Sequence, residues 1–261
     1  MKPKLSFIMP VLNNCHGFSR AIESILDQSE LSIELIVIDG GSNDGTLGVI
    51  ESYSDKIHYW ESGHDSGIAD AFNRGIKRAS CDFIGILNSD DLLEPDAIKN
   101  LFKTIEMQPA ADVFYGAIRF YDPVRGSTYV RNPDLTQMHR RMSLFHPAMF
   151  IRRSCYDRIG LYDCTYAHAM DSEWCHRAMA AGVEFFEVPS VMATMALGGV
   201  SDRDYGKSLR QYRTSLIKYG ITKPAAAYFY YSFFLAVKTI MRLPIMHPIK
   251  RFRDRLLASS E

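Results

Sequence analysis

The feature that most restricts the architecture of this chain is a regular alternation over its first ninety or so residues. Short runs rich in branched and aromatic side chains, at 5–9, 34–38, 57–60 and 83–87, are each bounded by Gly, Pro, Asn or Asp, the pattern of β-strands. Longer runs with helical spacing lie between them. Residues 17–28 place Phe18, Ile22, Ile25 and Leu26 on one face, Leu47, Val49, Ile50 and Tyr53 follow Asn43-Asp44-Gly45-Thr46, and 69–79 carry Phe72 and Ile76 beside Ile68, as an amphipathic helix requires. This alternation predicts an α/β class: a single, Rossmann-like, mostly parallel central sheet flanked by helices. Beyond it, the pattern predicts a helix over 96–106, a strand over 113–121 and a hairpin partner at 128–130 across Pro123-Val124-Arg125-Gly126. Strands at 145–151 and 183–188 and a helix over 172–181 follow.

Composition excludes several classes. The 30 basic and 30 acidic side chains cancel, so no global field favours nucleic acid, and 47% hydrophobic with 23% charged residues is the balance of a folded protein. Five cysteines, with no C-x-x-C pair, fit reduced thiols in the cytosol better than a disulfide framework or a zinc knuckle. The N-terminus lacks the long apolar core of a secretion signal. The tail changes character: residues 224–237 are almost wholly apolar and aromatic, and Lys238, Arg242, Lys250, Arg251, Arg253 and Arg255 follow against the single acid Asp254. That apolar run is shorter than the ~20 residues a spanning helix needs. It suits a helix lying on an anionic membrane surface through residues 225–255, which would make the chain cytoplasmic and peripheral to the inner face of the cell membrane. The alternative is a helix packed on the rest of the chain or on a second copy in a homodimer.

Ligands of open α/β sheets bind beyond the carboxyl ends of the strands. Three runs here end in polar loops at such positions: residues 7–14, 36–42 and 85–91. The third closes on two adjacent carboxylates, Asp90 and Asp91, which repel one another unless a cation sits between them. Carboxylate oxygen suits Mg²⁺ or Mn²⁺, which bridge readily to phosphate and act as Lewis acids on a leaving group; the competing role is a helix cap for Asp91 and a solvated Asp90. At the ends of the first two strands, Pro10-Val11-Leu12 and Asp39 are candidates to hold a nucleotide, since a carboxylate accepts from a base N–H or a ribose hydroxyl; Asp39 in Asp-Gly-Gly-Ser is equally a turn residue. Asp171, ahead of a predicted helix, is a candidate general base or, with Ser172, an N-cap. Glu173 rivals it as base, and His146 is placed to touch acceptor or phosphate. Together the three loops point to an enzyme of nucleotide sugars.

Several segments resemble glycosyltransferase family 2, the inverting enzymes of the GT-A fold, over roughly residues 5–205. They are Ser6-Phe7-Ile8-Met9-Pro10-Val11-Leu12-Asn13, Glu23-Ser24-Ile25-Leu26-Asp27-Gln28-Ser29, the run 34–46 through Asp39-Gly40-Gly41-Ser42, and Asp65-Ser66-Gly67-Ile68-Ala69-Asp70-Ala71-Phe72-Asn73-Arg74-Gly75-Ile76. The last is similar to a variant found in colanic-acid and other surface-polysaccharide transferases. The resemblance implies a GT-A catalytic domain over 1–205, with a nucleotide-sugar part at 1–92 and an acceptor part at 93–205, and a helical extension over 206–261. It implies donor contacts from Pro10, Val11, Asn13, Asp39, Gly41, Ser42, Asp65, Asn73, Asn88 and Ser89. It also implies a divalent metal (Mn²⁺ or Mg²⁺) on Asp90 and Asp91, Asp171 as catalytic base, and an acceptor side at His146, Glu173, Gly199 and Ser201, the last two in a closing loop. Asn88 stands where many members carry the first Asp of Asp-x-Asp, Met170 where an acid usually precedes the base, and Phe72 where many carry Arg. The implied reaction is inverting hexosyl transfer from a UDP-sugar, ahead of a GDP-sugar, to a saccharide that is lipid-linked, in surface polysaccharide or glycolipid synthesis. Two other readings compete. A sugar-phosphate nucleotidyltransferase would want a Gly-rich basic loop after the first strand, and Pro10-Val11-Leu12-Asn13-Asn14 offers none. A non-catalytic, membrane-associated nucleotide-sugar-binding module would account for Asn88 and Phe72.

Overall fold

The computed structural model describes residues 5–28, 33–122, 126–197 and 204–241. Within them β1 (Leu5–Val11), β2 (Ile33–Asp39), β3 (Tyr59–Ser62) and β4 (Phe83–Ile86) alternate with α1 (Cys15–Leu26), α2 (Thr46–Ser52) and α3 (Ile68–Arg78). There follow β5 (Leu92–Leu93), α4 (Ala97–Met107), β6 (Val113–Asp122), β7 (Ser127–Arg131), β8 (Met149–Arg152), α5 (Arg153–Ile159), α6 (Met170–Ala180), β9 (Phe185–Ala196), α7 (Tyr205–Lys218) and α8 (Pro224–Met241). One sheet holds the strands in the order β3-β2-β1-β4-β8-β6-β9-β5, with β7 on β6. It is parallel across β3-β2-β1-β4 and mixed beyond, where β8 runs antiparallel to both β4 and β6.

The period-2 pattern of β1 explains the layers. Leu5, Phe7, Met9 and Val11 face one core with Ile22 of α1, Ile50 of α2 and Leu101 of α4. Ile8 faces the other, with Phe72 of α3, Tyr156 of α5 and Trp174 of α6. Both faces of the sheet are therefore covered, as parallel strands require.

Local chemistry moves several expected boundaries. Helix α1 begins at Cys15 rather than 17, because the Asn14 side chain caps it by accepting from Gly17 N at 3.1 Å. The strand expected over 145–151 is short. Residues His146–Ala148 form a 3₁₀ turn containing Pro147, which has no N–H for a sheet ladder, and β8 starts only at Met149. Strand β9 outruns its expected end at 188, passing Pro189 through two register shifts against Gly116–Ile118. Too short to show a period, β5 was not expected. It pairs with Thr194 and Ala193 of β9 and so pins the chain just after Asp91.

The boundary expected after residue 205 falls at the start of α7, which is tied to α6. His176 Nδ1 lies 2.7 Å from Ser215 Oγ, and Tyr219 donates to Glu173. Helix α8 packs on α7 through Tyr212, Leu216 and Ala227, with the Arg213 guanidinium over the rings of Tyr228 (4.4 Å) and Tyr231 (4.7 Å). Its outer face leaves Phe229, Phe233, Val237 and Ile240 exposed. Among the described residues no helix is long and apolar enough to cross a membrane. The basic residues Arg242, Lys250, Arg251, Arg253 and Arg255, the turn residues Pro123-Val124-Arg125 and the expected closing loop with Gly199 and Ser201 lie outside the described residues.

Candidate active site

The carboxyl ends of β1, β2, β3 and β4 open on the same edge of the sheet, and side chains stitch their loops together. Asp39, at the end of β2, is fully buried and accepts from the backbone N–H groups of Gly41 (3.1 Å) and Ser42 (3.0 Å) and from the hydroxyls of Ser42 and Ser62. The Ser42 hydroxyl in turn accepts from Asn13 N at 2.8 Å, and Asn43 N donates to Asn13 Oδ1 at 2.9 Å. Asn13 adopts a left-handed conformation, φ 50°, which Asn tolerates better than most residues. Next to it, Asn14 Nδ2 donates to both the carbonyl and the hydroxyl of Ser89 at 3.1 Å, joining the β1 loop to the β4 loop.

Two glycines permit this closeness. A Cβ on Gly17 would stand 2.3 Å from Asn14 Nδ2 and 2.6 Å from the Ser89 carbonyl oxygen. One on Gly40 would stand 2.8 Å from Asp65 Oδ2, so Asp65 lies directly over the β2 loop, its other oxygen accepting from Gly67 N at 2.9 Å.

The β4 loop then reaches the second half of the chain. Asn88 Nδ2 is 2.9 Å from His146 Nε2, and His146 Nδ1 is 3.9 Å from Asp171 Oδ2. Hydrogen bonds and chain neighbours thus connect Asp39 through Ser42, Asn13, Asn14, Ser89 and Asn88 to His146, whose ring faces Asp171 across 3.9 Å. Burial shapes the charges here. It drives the His146 imidazole down to about 4, so the ring is neutral near pH 7. It also raises Asp171, although the adjacent Ser172 N–H, donating at 2.7 Å, opposes the shift. Asp171 sits in the first turn of α6, where the helix dipole favours an anion.

The two acids of the β4 loop differ in kind. Asp90 is exposed, whereas Asp91 is buried, beneath Asn88 Nδ2 (3.3 Å) and the Ala196 backbone N–H. Desolvation, and after it the charge of Asp90, holds the Asp91 carboxyl well above the usual carboxylate range. Of the two expected metal ligands Asp90 is the one open at the loop edge, while Asp91 is turned inward against Asn88 and the Ala196 backbone. Among the described residues no three or more His, Cys, Asp or Glu side chains form a metal-binding group. Asp90 alone still fits a hard cation that keeps most of its positions for water and phosphate. Beside it Asn88 Oδ1 is buried without a partner, the kind of orphan acceptor a donor hydroxyl would satisfy.

Three further expectations change. Asn73 is nearly buried, and its amide is consumed by the Tyr162 backbone, donating to the carbonyl and accepting from N–H at 2.9 Å each; it braces α3 against the loop before α6. Glu173 is wholly buried, paired with Arg177 at 3.0 Å and accepting from Tyr219, so it joins α6 to α7 rather than facing an acceptor. Pro10 and Val11 are buried within the sheet, and only their backbone can face the loop edge; the Val11 carbonyl already accepts from Gly40 N at 2.9 Å. Leu12, expected beside them, is 57% exposed at the mouth of the β1 loop. The pattern missed Asn14 and Ser62, whose contacts lie far away in sequence.

A sequence model of the family described as "Glycosyl transferase family 2" matches residues 6–174. The chain is 28% identical over 196 residues to an uncharacterized glycosyltransferase of Rickettsia typhi, covering 71% of this chain and 61% of the relative. It is 30% identical over 171 residues to a PGL/p-HBAD biosynthesis glycosyltransferase of Mycobacterium bovis, covering 63% and 65%. The chain thus spans somewhat under two thirds of the length of these relatives. Among solved structures, S. aureus TarS 1–349 in complex with UDP-GlcNAc superposes with a TM-score of 0.63 at 18% identity, covering 89% of this chain and 71% of TarS 1–349. The mannosyltransferase PcManGT of Pyrobaculum calidifontis, in complex with GDP-Man and Mn²⁺, gives 0.63 at 16% identity, covering 98% and 81%. These two share the fold, which is GT-A. By the match over residues 6–174, which takes in every loop of the stitched edge up to Asp171, the chain belongs to glycosyltransferase family 2.

Proposed function

We propose that this chain transfers a hexosyl unit from a nucleoside-diphosphate sugar, UDP ahead of GDP, to a saccharide hydroxyl with inversion at the anomeric carbon. The observation that carries the reading is that the loops stitched to Asp39 reach His146, whose ring faces Asp171 at 3.9 Å, so the strand ends suited to a nucleotide and the more exposed carboxylate of α6 share one edge. TarS structures with UDP and UDP-GlcNAc and PcManGT with GDP-Man and Mn²⁺ support a nucleotide sugar as donor. Asp39 shapes the loop facing base and ribose, with Asp65 above it and Leu12 as an apolar wall. Asp90 would hold Mg²⁺ or Mn²⁺, which supplies neutralising charge to a departing diphosphate when bound. Asp171 takes the proton of the acceptor hydroxyl as that oxygen attacks the anomeric carbon, and the diphosphate leaves from the opposite face with the bonding pair.

The acceptor in this reading is lipid-linked, at the inner face of the cell membrane, in surface polysaccharide or glycolipid synthesis. The exposed Phe229, Phe233, Val237 and Ile240 of α8, with Lys238 on the same helix, support a surface that meets lipid headgroups. Nucleotide release from UDP- and GDP-sugars with Mn²⁺ tests the mechanism: Asp171→Asn and Asp90→Ala should each lose about 10²–10⁴-fold in turnover. Near wild-type turnover in both would overturn it.

A further inference from the structure

We propose that Asn88 and His146 are positioning residues for Asp171, Asn88 dictating which imidazole nitrogen carries the proton and His146 presenting that N–H to the carboxylate. This rests on the reading of Asp171 as the base.

Burial leaves His146 a single ring proton near pH 7, and its location follows from its neighbours. Nε2 lies 2.9 Å from Asn88 Nδ2, and an amide nitrogen can only donate. Nε2 must accept, and the proton resides on Nδ1, the nitrogen facing Asp171 Oδ2 at 3.9 Å. Asn88 has reason to point its nitrogen this way, since the same atom reaches Asp91 Oδ2 at 3.3 Å. Turning the amide over would set its oxygen against the ring and pull the proton to Nε2. A bare Nδ1 lone pair would then oppose the carboxylate. The ring is held from the side by Phe72, with centroids 5.7 Å apart.

Among the described residues no charged side chain shifts Asp171. Tyr162, Cys175 and Tyr212 lie within electrostatic reach, and burial raises all three, keeping them neutral. The backbone N–H of Ser172 and the start of α6 favour the anion, and the His146 N–H, 3.9 Å away, is the dipole that the proposal adds to them. During transfer the acceptor O–H proton moves to Asp171, the new C–O bond forms at the anomeric carbon and the diphosphate departs with its electrons. The His146 proton stays on the ring throughout. This gives Asn88 a purpose where family members carry Asp. A carboxylate there would accept from Nε2–H, reverse the tautomer and withdraw the N–H from the base.

The test uses the full chain with UDP-sugar or GDP-sugar and Mn²⁺, comparing wild type with Asn88→Asp, His146→Phe, His146→Asn and Asp171→Asn. Asn88→Asp and His146→Phe should lower kcat by at least about tenfold and move the acid limb of the pH–rate profile upward, and in His146→Phe donor KM and Mn²⁺ activation should stay within about threefold. His146→Asn, whose amide N–H can stand near the Nδ1 position, should recover much of the loss. A wild-type kcat and pH profile in Asn88→Asp, or His146→Asn as impaired as His146→Phe, overturns the positioning role. Full activity in Asp171→Asn overturns the base assignment itself, and the positioning role with it.

Discussion

Replacing Gly17 by Ala perturbs the stitched edge at its tightest point. The added methyl would stand 2.3 Å from Asn14 Nδ2, 2.6 Å from Asn14 Oδ1 and 2.6 Å from the Ser89 carbonyl oxygen. No rotamer of Asn14 relieves the last contact, because it is backbone. The Asn14 side chain must leave, losing the α1 cap and its two hydrogen bonds to Ser89. A cap is worth ~1 kcal/mol and each of the two hydrogen bonds a net ~0.5–1.5 kcal/mol, so the loss is about 2–4 kcal/mol before any backbone shift. At ~2–4 °C per kcal/mol for a chain of about this size, Tm should fall by roughly 4–16 °C. The catalytic consequence should be larger. The β4 loop carries Asn88 and Asp90 one residue either side of Ser89, and a displacement near 1 Å in such a site costs about 10²-fold in rate. Thermal unfolding beside nucleotide-release kinetics measures both. Asn14→Ala provides the comparison, removing the same bonds without the methyl. Additive effects of Gly17→Ala and Asn14→Ala in the double variant would contradict a shared contact. A Gly17→Ala protein with a lowered Tm but kcat within about twofold of wild type would refute the claim that this clamp places the site.

Other residues yield separate expectations. Glu173→Ala leaves the half-buried Arg177 without its acid and the Tyr219 hydroxyl without its acceptor and should cost ~1–3 kcal/mol of stability in urea titrations, while turnover per folded molecule stays near wild type; loss of turnover in a fully folded variant would restore Glu173 to the chemistry. The Asp91 carboxyl is raised on folding, so the native state binds its proton more tightly than the unfolded chain, and stability declines as pH climbs above the unfolded value near 4. Asp91→Asn should therefore raise the urea midpoint at pH 7 and leave it unchanged at pH 3, and a uniform shift at both would contradict the buried, repelled state. Phe229→Glu with Phe233→Glu should reduce co-sedimentation with anionic vesicles at constant Tm, since both rings are exposed; undiminished vesicle binding would remove α8 as the contact. UDP- or GDP-sugars with Mn²⁺ should raise Tm progressively with concentration above their Kd, and no shift with any of them would undo the donor assignment.

What the sequence discloses here follows the range of each interaction. The strands of the first half are legible because a covered parallel strand is apolar on both faces, and the helices between them because Phe18, Ile22 and Ile25 sit on one turn-spaced stripe. Asp39, Asp90 and Asp171 are visible as acids at element ends, a local property. Their differing states are not. Asp91 is buried beside the pairing of β5 with β9, strands that meet from about a hundred residues apart. Asn73 is occupied by Tyr162, 89 positions away, and Glu173 by Tyr219, 46 positions away. An Asn read through its neighbours in sequence looks available to a donor, and a Glu beside the base looks like a rival base. Only the tertiary partners decide that each is already spent. The same reasoning works in the opposite direction at Asn88. By spacing alone it is a lapse from Asp-x-Asp; set 2.9 Å from a neutral imidazole that faces Asp171, it is the residue type the arrangement needs, because only a donor at that position leaves the ring proton on the side of the base.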